Sequence, residues 1–96
     1  MTETEHLLVC LSEECAEIIK AVSKALRFGL DDGYPGGSTT NLQDIIKELN
    51  DLEGVIDLLR SYVPFENFRS SYAILKKKDK IKEFMEYARK RNKLEK

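Results

Sequence analysis

One histidine, two cysteines and no long apolar run set the first limits on this 96-residue chain. With His6 as its only histidine, the sequence offers no Ser/His/Asp or Cys/His arrangement beyond chance, and His6 itself reads as a surface residue. Cys10 and Cys15 sit about 140° apart on a helix, so they cannot close a local disulfide. Two cysteines are also too few for a secreted disulfide scaffold. No apolar stretch approaches the roughly 20 residues of a membrane span. The opening Met1-Thr-Glu-Thr-Glu5 is acidic where a signal peptide is basic. These absences predict a reducing, cytoplasmic setting. A charge surplus is missing too: 16 Lys and Arg face 17 Asp and Glu, a net charge of −1. That balance argues against wholesale binding to nucleic acid or membranes. The glycine-rich Gly33-Tyr-Pro-Gly-Gly-Ser38 lacks the GK[ST] ending of a P-loop.

What is present is helical periodicity. From His6 to about Phe28, Leu7, Leu8, Leu11, Cys15, Ile18, Ile19, Val22, Ala25 and Leu26 recur in steps of three and four, the mark of an amphipathic helix. Gly29 is a natural stop, since glycine tolerates the left-handed conformation. Residues 30–40, LDDGYPGGSTT, read as a loop. Thr40 and Gln43 form a capping box for a second helix, with Asn41 as the rival cap. Its apolar positions are Leu42, Ile45, Ile46, Leu49, Leu52, Val55, Ile56 and Leu59. Gly54 lies inside at a cost of about 1 kcal/mol relative to alanine, and Pro64 ends the helix near Tyr62 or Val63. Residues 65–75 fit either a short helix or an irregular connector. Asp79 is the expected cap of a last helix whose apolar face is Ile81, Phe84, Met85 and Ala88, and residues 89–96 should fray. The whole chain is expected to be one all-α domain, an antiparallel bundle of three to four helices. Each helix pair has more apolar surface than one short chain covers, so a homodimer or homotetramer is expected.

Two acidic groups stand out. Helix one carries Glu13, Glu14 and Glu17; helix two carries Glu48 and Asp51. A spacing of three places Glu14 with Glu17, and Glu48 with Asp51, on one helical face. On a wheel of about 100° per residue, Glu14 and Glu48 border the apolar stripes, with Glu17 and Asp51 about 60° further out. If the helices pack antiparallel along those stripes, four acids converge at the rim of the groove. Such a group raises its own pKa values by mutual repulsion, which a hard divalent cation relieves. Mg²⁺ takes oxygen ligands and is commonly shared between carboxylates and substrate phosphates. The plain alternative is that these acids are solvated surface charges.

EExxE in helix one followed by ExxD in helix two resembles the signature of the MazG-like, all-α NTP pyrophosphatase superfamily. The flanks extend the likeness: Leu11-Ser-Glu-Glu-Cys-Ala-Glu-Ile18, Ser23-Lys-Ala-Leu-Arg-Phe-Gly29, and Asn41-Leu42 at the start of helix two. They are similar to a phage and bacterial branch, over roughly residues 5–60. Thirty residues separate Glu17 from Glu48, slightly more than the family interval, and the excess falls in the glycine-rich loop. The resemblance implies that Glu14, Glu17, Glu48 and Asp51 are the catalytic metal ligands for Mg²⁺, with Mn²⁺ as an alternative, and that Glu13 is an additional or supporting group. It also implies hydrolysis of a nucleoside or deoxynucleoside triphosphate to the monophosphate and pyrophosphate, and assembly as dimers or dimers of dimers.

Around that site, Lys24 lies two turns after Glu17 on nearly the same face and is a candidate phosphate contact. Arg27 is offset by about 80° and would have to curl round or serve a partner subunit. Phe28 and Tyr34 flank the loop and could stack on a base, although core packing is the commoner role for Phe28. Among the lysines at 76–82, Lys80 is the preferred substrate contact, against a solvated helix face. Two rival readings remain: a non-catalytic helical interaction module that keeps the bundle without turnover, and a nucleic-acid binder using the basic residues between Lys76 and Arg91.

Overall fold

The computed structural model describes residues 1–65 and 68–95. Those residues form three α-helices and no strand: α1 (Glu3–Phe28), α2 (Asn41–Leu59) and α3 (Ser71–Lys90). The chain divides into two compact units, residues 1–65 and 66–96.

The first unit is a helical hairpin. α1 starts earlier than its apolar pattern does, because Thr2 and Glu5 make a reciprocal capping box. It stops at Gly29, whose φ of +97° is a conformation that side-chain-bearing residues rarely adopt. α2 starts at the expected box, with Thr40 as the cap and Gln43 returning the bond. It ends at Leu59, short of Tyr62 and Val63, in turns closed by the Tyr62 and Val63 N–H groups on the Leu59 carbonyl.

The helices run antiparallel. At one end Tyr62 donates its hydroxyl to Glu3, 2.5 Å away; at the other, Asn41 donates its side-chain N–H to the Gly29 carbonyl at 2.8 Å. Between these ties the seam follows alternating steps of four and three. Leu7, Leu11, Glu14, Ile18, Ala21 and Ala25 come from α1; Asn41, Ile45, Glu48, Leu52, Val55 and Leu59 come from α2, all buried or half-buried. This is the spacing that keeps two helices in register along a shared stripe. Leu59 is fully buried and Ala21 nearly so.

Two acids, Glu14 and Glu48, therefore occupy positions of an otherwise largely apolar seam. Roughly 90° round from the seam lies a second apolar stripe: Leu8, Ile19, Val22 and Leu26 on α1, with Leu42, Ile46 and Leu49 on α2. All of these are exposed, Leu26 to 82%. Because the helices are antiparallel, equal rotations away from the seam land on the same side of the hairpin. Glu17 and Asp51 are rotated the other way, by about 80°. The hairpin thus has one acidic face and one apolar face.

The second unit is α3. Its cap is Ser70, whose side chain accepts the Ala73 N–H at 3.1 Å. Asp79, the cap expected from sequence, lies mid-helix. A serine nine residues earlier satisfies the same need, and the lysine-rich run at 76–78 continues the helix without a break. The helix also runs through Arg89 to Lys90, further than the fraying expected there, before turns at residues 91–94. Residues 65–75, which fit either a short helix or an irregular connector, are irregular at Phe65 and at 68–70 and helical from Ser71; Glu66 and Asn67 lie outside the described residues.

Candidate metal and nucleotide site

The seam brings three of the four expected acids together. One carboxylate oxygen each from Glu14, Glu48 and Asp51 lies within 4.8 Å of the other two, and all three side chains are half-buried. Glu14 is the central member. Its Oε2 is shielded from solvent and has no hydrogen-bond partner. An ionisable oxygen without a donor is costly in a protein interior, and the cost shows in its acidity. Burial pushes the Glu14 carboxyl above the ordinary carboxylate range; Asp51, Glu48 and more weakly Glu17 add to the rise, while Lys47 opposes it.

Lys47 was not singled out by the sequence pattern, yet it is the cluster's own counterion. Its ammonium sits 2.8 Å from Asp51 and 3.7 Å from Glu48. These bonds to Asp51, and the charge of Glu48, hold the lysine above its usual pKa. The Lys47–Asp51 spacing of i and i+4 was the available signal. Three carboxylates and one ammonium leave a formal charge of −2 at the cluster. The lysine is 68% exposed, so it can swing into solvent with little loss of packing.

Glu17 does not join the cluster of three. It lines the adjacent groove with Lys20, Ala21, Lys24, Asp44 and Glu48. Glu48 belongs to both, so Glu17 stands next to the cluster along the acidic face. Glu13 is exposed. Lys24 faces this groove as its helical position suggests. Arg27 instead lies over the Phe28 ring, 5.1 Å from its centroid. Lys80 belongs to the second unit, where its ammonium lies 5.8 Å from the Phe84 ring centroid.

Beyond Lys24 and Asp44 the groove meets a cavity of about 460 Å³ between the end of α1 and the 29–40 loop. Such a volume falls in the roughly 300–1,000 Å³ range of small-molecule sites. Phe28 and Tyr34 line it, 57% and 80% exposed. Core packing, the commoner role for Phe28, is not what this residue does: the ring is exposed in the cavity wall.

The loop that shapes this cavity is pinned at several points. Asn41 donates its backbone N–H to the Asp32 carbonyl at 2.6 Å, and Leu42 donates to that of Leu30 at 3.0 Å. The Asn41 side chain, 5% exposed, holds the Gly29 carbonyl. Asn41 is therefore the clamp of the loop, and Thr40 alone is the helix cap. Gly33 passes so close to the Thr39 carbonyl that any Cβ there would collide with it. Asp32 and Asp44, both in the cavity wall, had no signal in the sequence beyond their charge. No family model, curated protein or solved structure matches the chain.

Proposed function

We propose that the hairpin is a Mg²⁺-dependent nucleoside triphosphate pyrophosphohydrolase of the MazG-like kind, with Mn²⁺ as an alternative metal. The observation that carries this reading is the solvent-shielded, unpartnered Oε2 of Glu14 beside Glu48 and Asp51. Hydrogen-bond donors would satisfy such an oxygen in a purely structural seam. An all-oxygen donor set of charge −3, partly balanced by one displaceable lysine, suits a hard divalent cation.

Glu14, Glu48 and Asp51 would hold the ion, with Glu17 placed to ligate a second ion or to orient the substrate from the next position along the groove. A bound Mg²⁺ would supply a Lewis acid for the phosphate oxygens and a more acidic water. Lys24 would neutralise charge on the phosphate chain, and Lys47, freed from Asp51, could do the same. Hydrolysis between the α- and β-phosphates would give the monophosphate and pyrophosphate. The exposed stripe of Leu8, Ile19, Val22, Leu26, Leu42, Ile46 and Leu49 supports the accompanying proposal of a homodimer or homotetramer, which sedimentation would test.

The test is pyrophosphate release from a nucleotide panel with Mg²⁺. Glu14→Gln, Glu48→Gln and Asp51→Asn should each lower kcat by about 100-fold or more, the scale of losing a charge-stabilising group, while circular dichroism stays helical. Near-wild-type turnover in all three would remove the cluster from the chemistry.

A second reading, a non-catalytic helical module, draws support from Lys47. Its bonds to Asp51 and Glu48 already neutralise part of the cluster without any ion. A folded wild-type protein that releases no pyrophosphate from any nucleotide would favour it.

A further inference from the structure

We propose that the cavity between the end of α1 and the 29–40 loop takes the base of the nucleotide, and that its carboxylates select bases bearing an amino group over uracil and thymine. The proposal rests on the nucleotide reading of the acidic face and goes beyond it by assigning the selecting residues.

The order of features along the hairpin is the first argument. Glu14, Glu48 and Asp51 form the cluster; Glu17 and Lys24 line the groove beside it; Lys24 and Asp44 are shared with the cavity, which ends at Phe28 and Tyr34. Acid cluster, lysine and aromatic-walled cavity follow one another as phosphates, sugar and base do in a nucleoside triphosphate. Glu17 and Phe28 are separated by roughly 16 Å of helix rise, so the groove and the cavity can be filled by one extended ligand.

The chemistry of the wall is the second argument. Phe28 and Tyr34 give flat surfaces, on which any base can stack and which do not discriminate. The polar atoms do discriminate. Asp32 uses Oδ1 to accept the Gly33 N–H at 2.8 Å, and Asp44 uses Oδ1 to accept the Thr39 hydroxyl at 2.8 Å. No protein donor is bonded to the second oxygen of either carboxylate among these contacts. Asn41 spends its amide nitrogen on the Gly29 carbonyl, which leaves its oxygen as a further acceptor.

The cavity is therefore rich in acceptors, and among the described residues lining it the one cation, Lys24, is on the side of the groove. An amino group on guanine, cytosine or adenine brings donors to these acceptors. Uracil and thymine offer a single donor on the corresponding edge, the imide N3–H, flanked by two carbonyls that set acceptors against the carboxylates. Sites built to bond a polar group reject an analogue lacking it far more strongly than apolar pockets reject a missing methylene.

The experiment uses the whole 96-residue chain and deoxynucleoside monophosphates, so that it does not depend on turnover. Backbone amide signals are followed by NMR during titration with dGMP, dCMP, dAMP, dUMP and dTMP. The expected result is perturbation at Gly33, Tyr34 and Asn41. At least one amino-bearing nucleotide should bind at least tenfold more tightly than dUMP or dTMP. Asp32→Asn keeps the acceptor for the Gly33 N–H and places an amide where the second oxygen stood, so the preference should shrink at least fivefold with the loop signals otherwise in place. Equal affinities across the panel, perturbation confined to the acidic cluster, or a preference unchanged in Asp32→Asn would overturn the proposal. Base-selective binding without any pyrophosphate release would instead leave the cavity assignment standing and defeat the hydrolase reading. Turnover without base-selective binding would do the reverse.

Discussion

The two units of this chain divide the work of a folded protein unequally. Residues 1–65 carry twelve acidic and five basic side chains; residues 66–96 carry five acidic and eleven basic. A net charge of −1 hides that separation. The hairpin buries Ala21, Asn41 and Leu59 and places two acids in its seam, whereas α3 buries no residue among those described. Two acids of the hairpin, Glu14 and Glu48, are thus held in place by packing, whereas the charged side chains along α3 are nearly all exposed. Fixed, desolvated charge can be aimed at a ligand; solvated charge gives attraction without geometry.

The largest test of that contrast compares an acid from each unit. Glu14→Gln should abolish most pyrophosphate release, while Glu83→Gln, an exposed acid of α3, should leave it within about twofold, the scatter of surface changes. The same pair sharpens the comparison in stability. Glu14 has its folded pKa raised, first by burial and then by Asp51 and Glu48. A group raised in this way favours the fold most below its ordinary value of 4.5, and that contribution is lost as pH rises through the folded pKa. Without metal, Glu14→Gln should therefore melt above the wild type at neutral pH, and the gap should close as pH falls toward 4.5. Thermal melts across that range check it; a gap that widens on acidification would contradict the assignment.

Next in size is packing. Leu59, fully buried, should cost about 2–5 kcal/mol on truncation to alanine, a large part of the roughly 5–15 kcal/mol that stabilises a domain. Phe84, 61% exposed on α3, should cost less than about 1 kcal/mol. Urea denaturation measures both. A Phe84→Ala loss as large as that of Leu59→Ala would mean that α3 is covered in solution and would break the comparison.

The hairpin was largely legible in the sequence because its determinants are local. The 3.6 period of α1 and α2, the Thr40 capping box and the stop at Gly29 need only neighbouring residues. The acids at Glu14 and Glu48 were legible as borders of apolar stripes for the same reason. What failed depended on competition or on distant partners. Asp79 lost the cap of α3 to Ser70, since two plausible caps in one helical run cannot be ranked from composition. Phe28 looked like core, but whether an aromatic at a helix end is covered depends on what stands opposite it. Glu17 and Asp51 are equally rotated from the seam, yet Asp51 joins the cluster of three and Glu17 lines the adjacent groove; the choice between them depends on how far along the packed helices each one falls, which the helical wheel does not give. Lys47 is the exception, since its partners Glu48 and Asp51 lie one and four residues along the same helix, a local signal of i and i+4 pairing.

Two smaller effects refine the account of the loop and the hairpin. Asn41→Ala removes the clamp on the Gly29 carbonyl and should cost about 1–3 kcal/mol, the range for orphaning a buried polar group. If the loop shapes the ligand cavity, the same variant should weaken nucleotide binding more than it lowers kcat. Gly54 has open space where a Cβ would stand, so Gly54→Ala should stabilise α2 by about 0.4–1 kcal/mol with turnover unchanged. A destabilised Gly54→Ala protein would point to close packing against this side of α2 in an assembly.

The central claim, that Glu14, Glu48 and Asp51 form a divalent-cation site, is tested most directly by Mn²⁺ binding, read as the loss of the free-ion electron paramagnetic resonance signal. The account predicts that the wild-type protein sequesters Mn²⁺, that Mg²⁺ competes it away, and that Glu14→Gln, Glu48→Gln and Asp51→Asn each weaken binding at least tenfold while remaining helical. Wild-type protein that leaves the Mn²⁺ signal untouched, or variants that bind as tightly as the wild type, would contradict it.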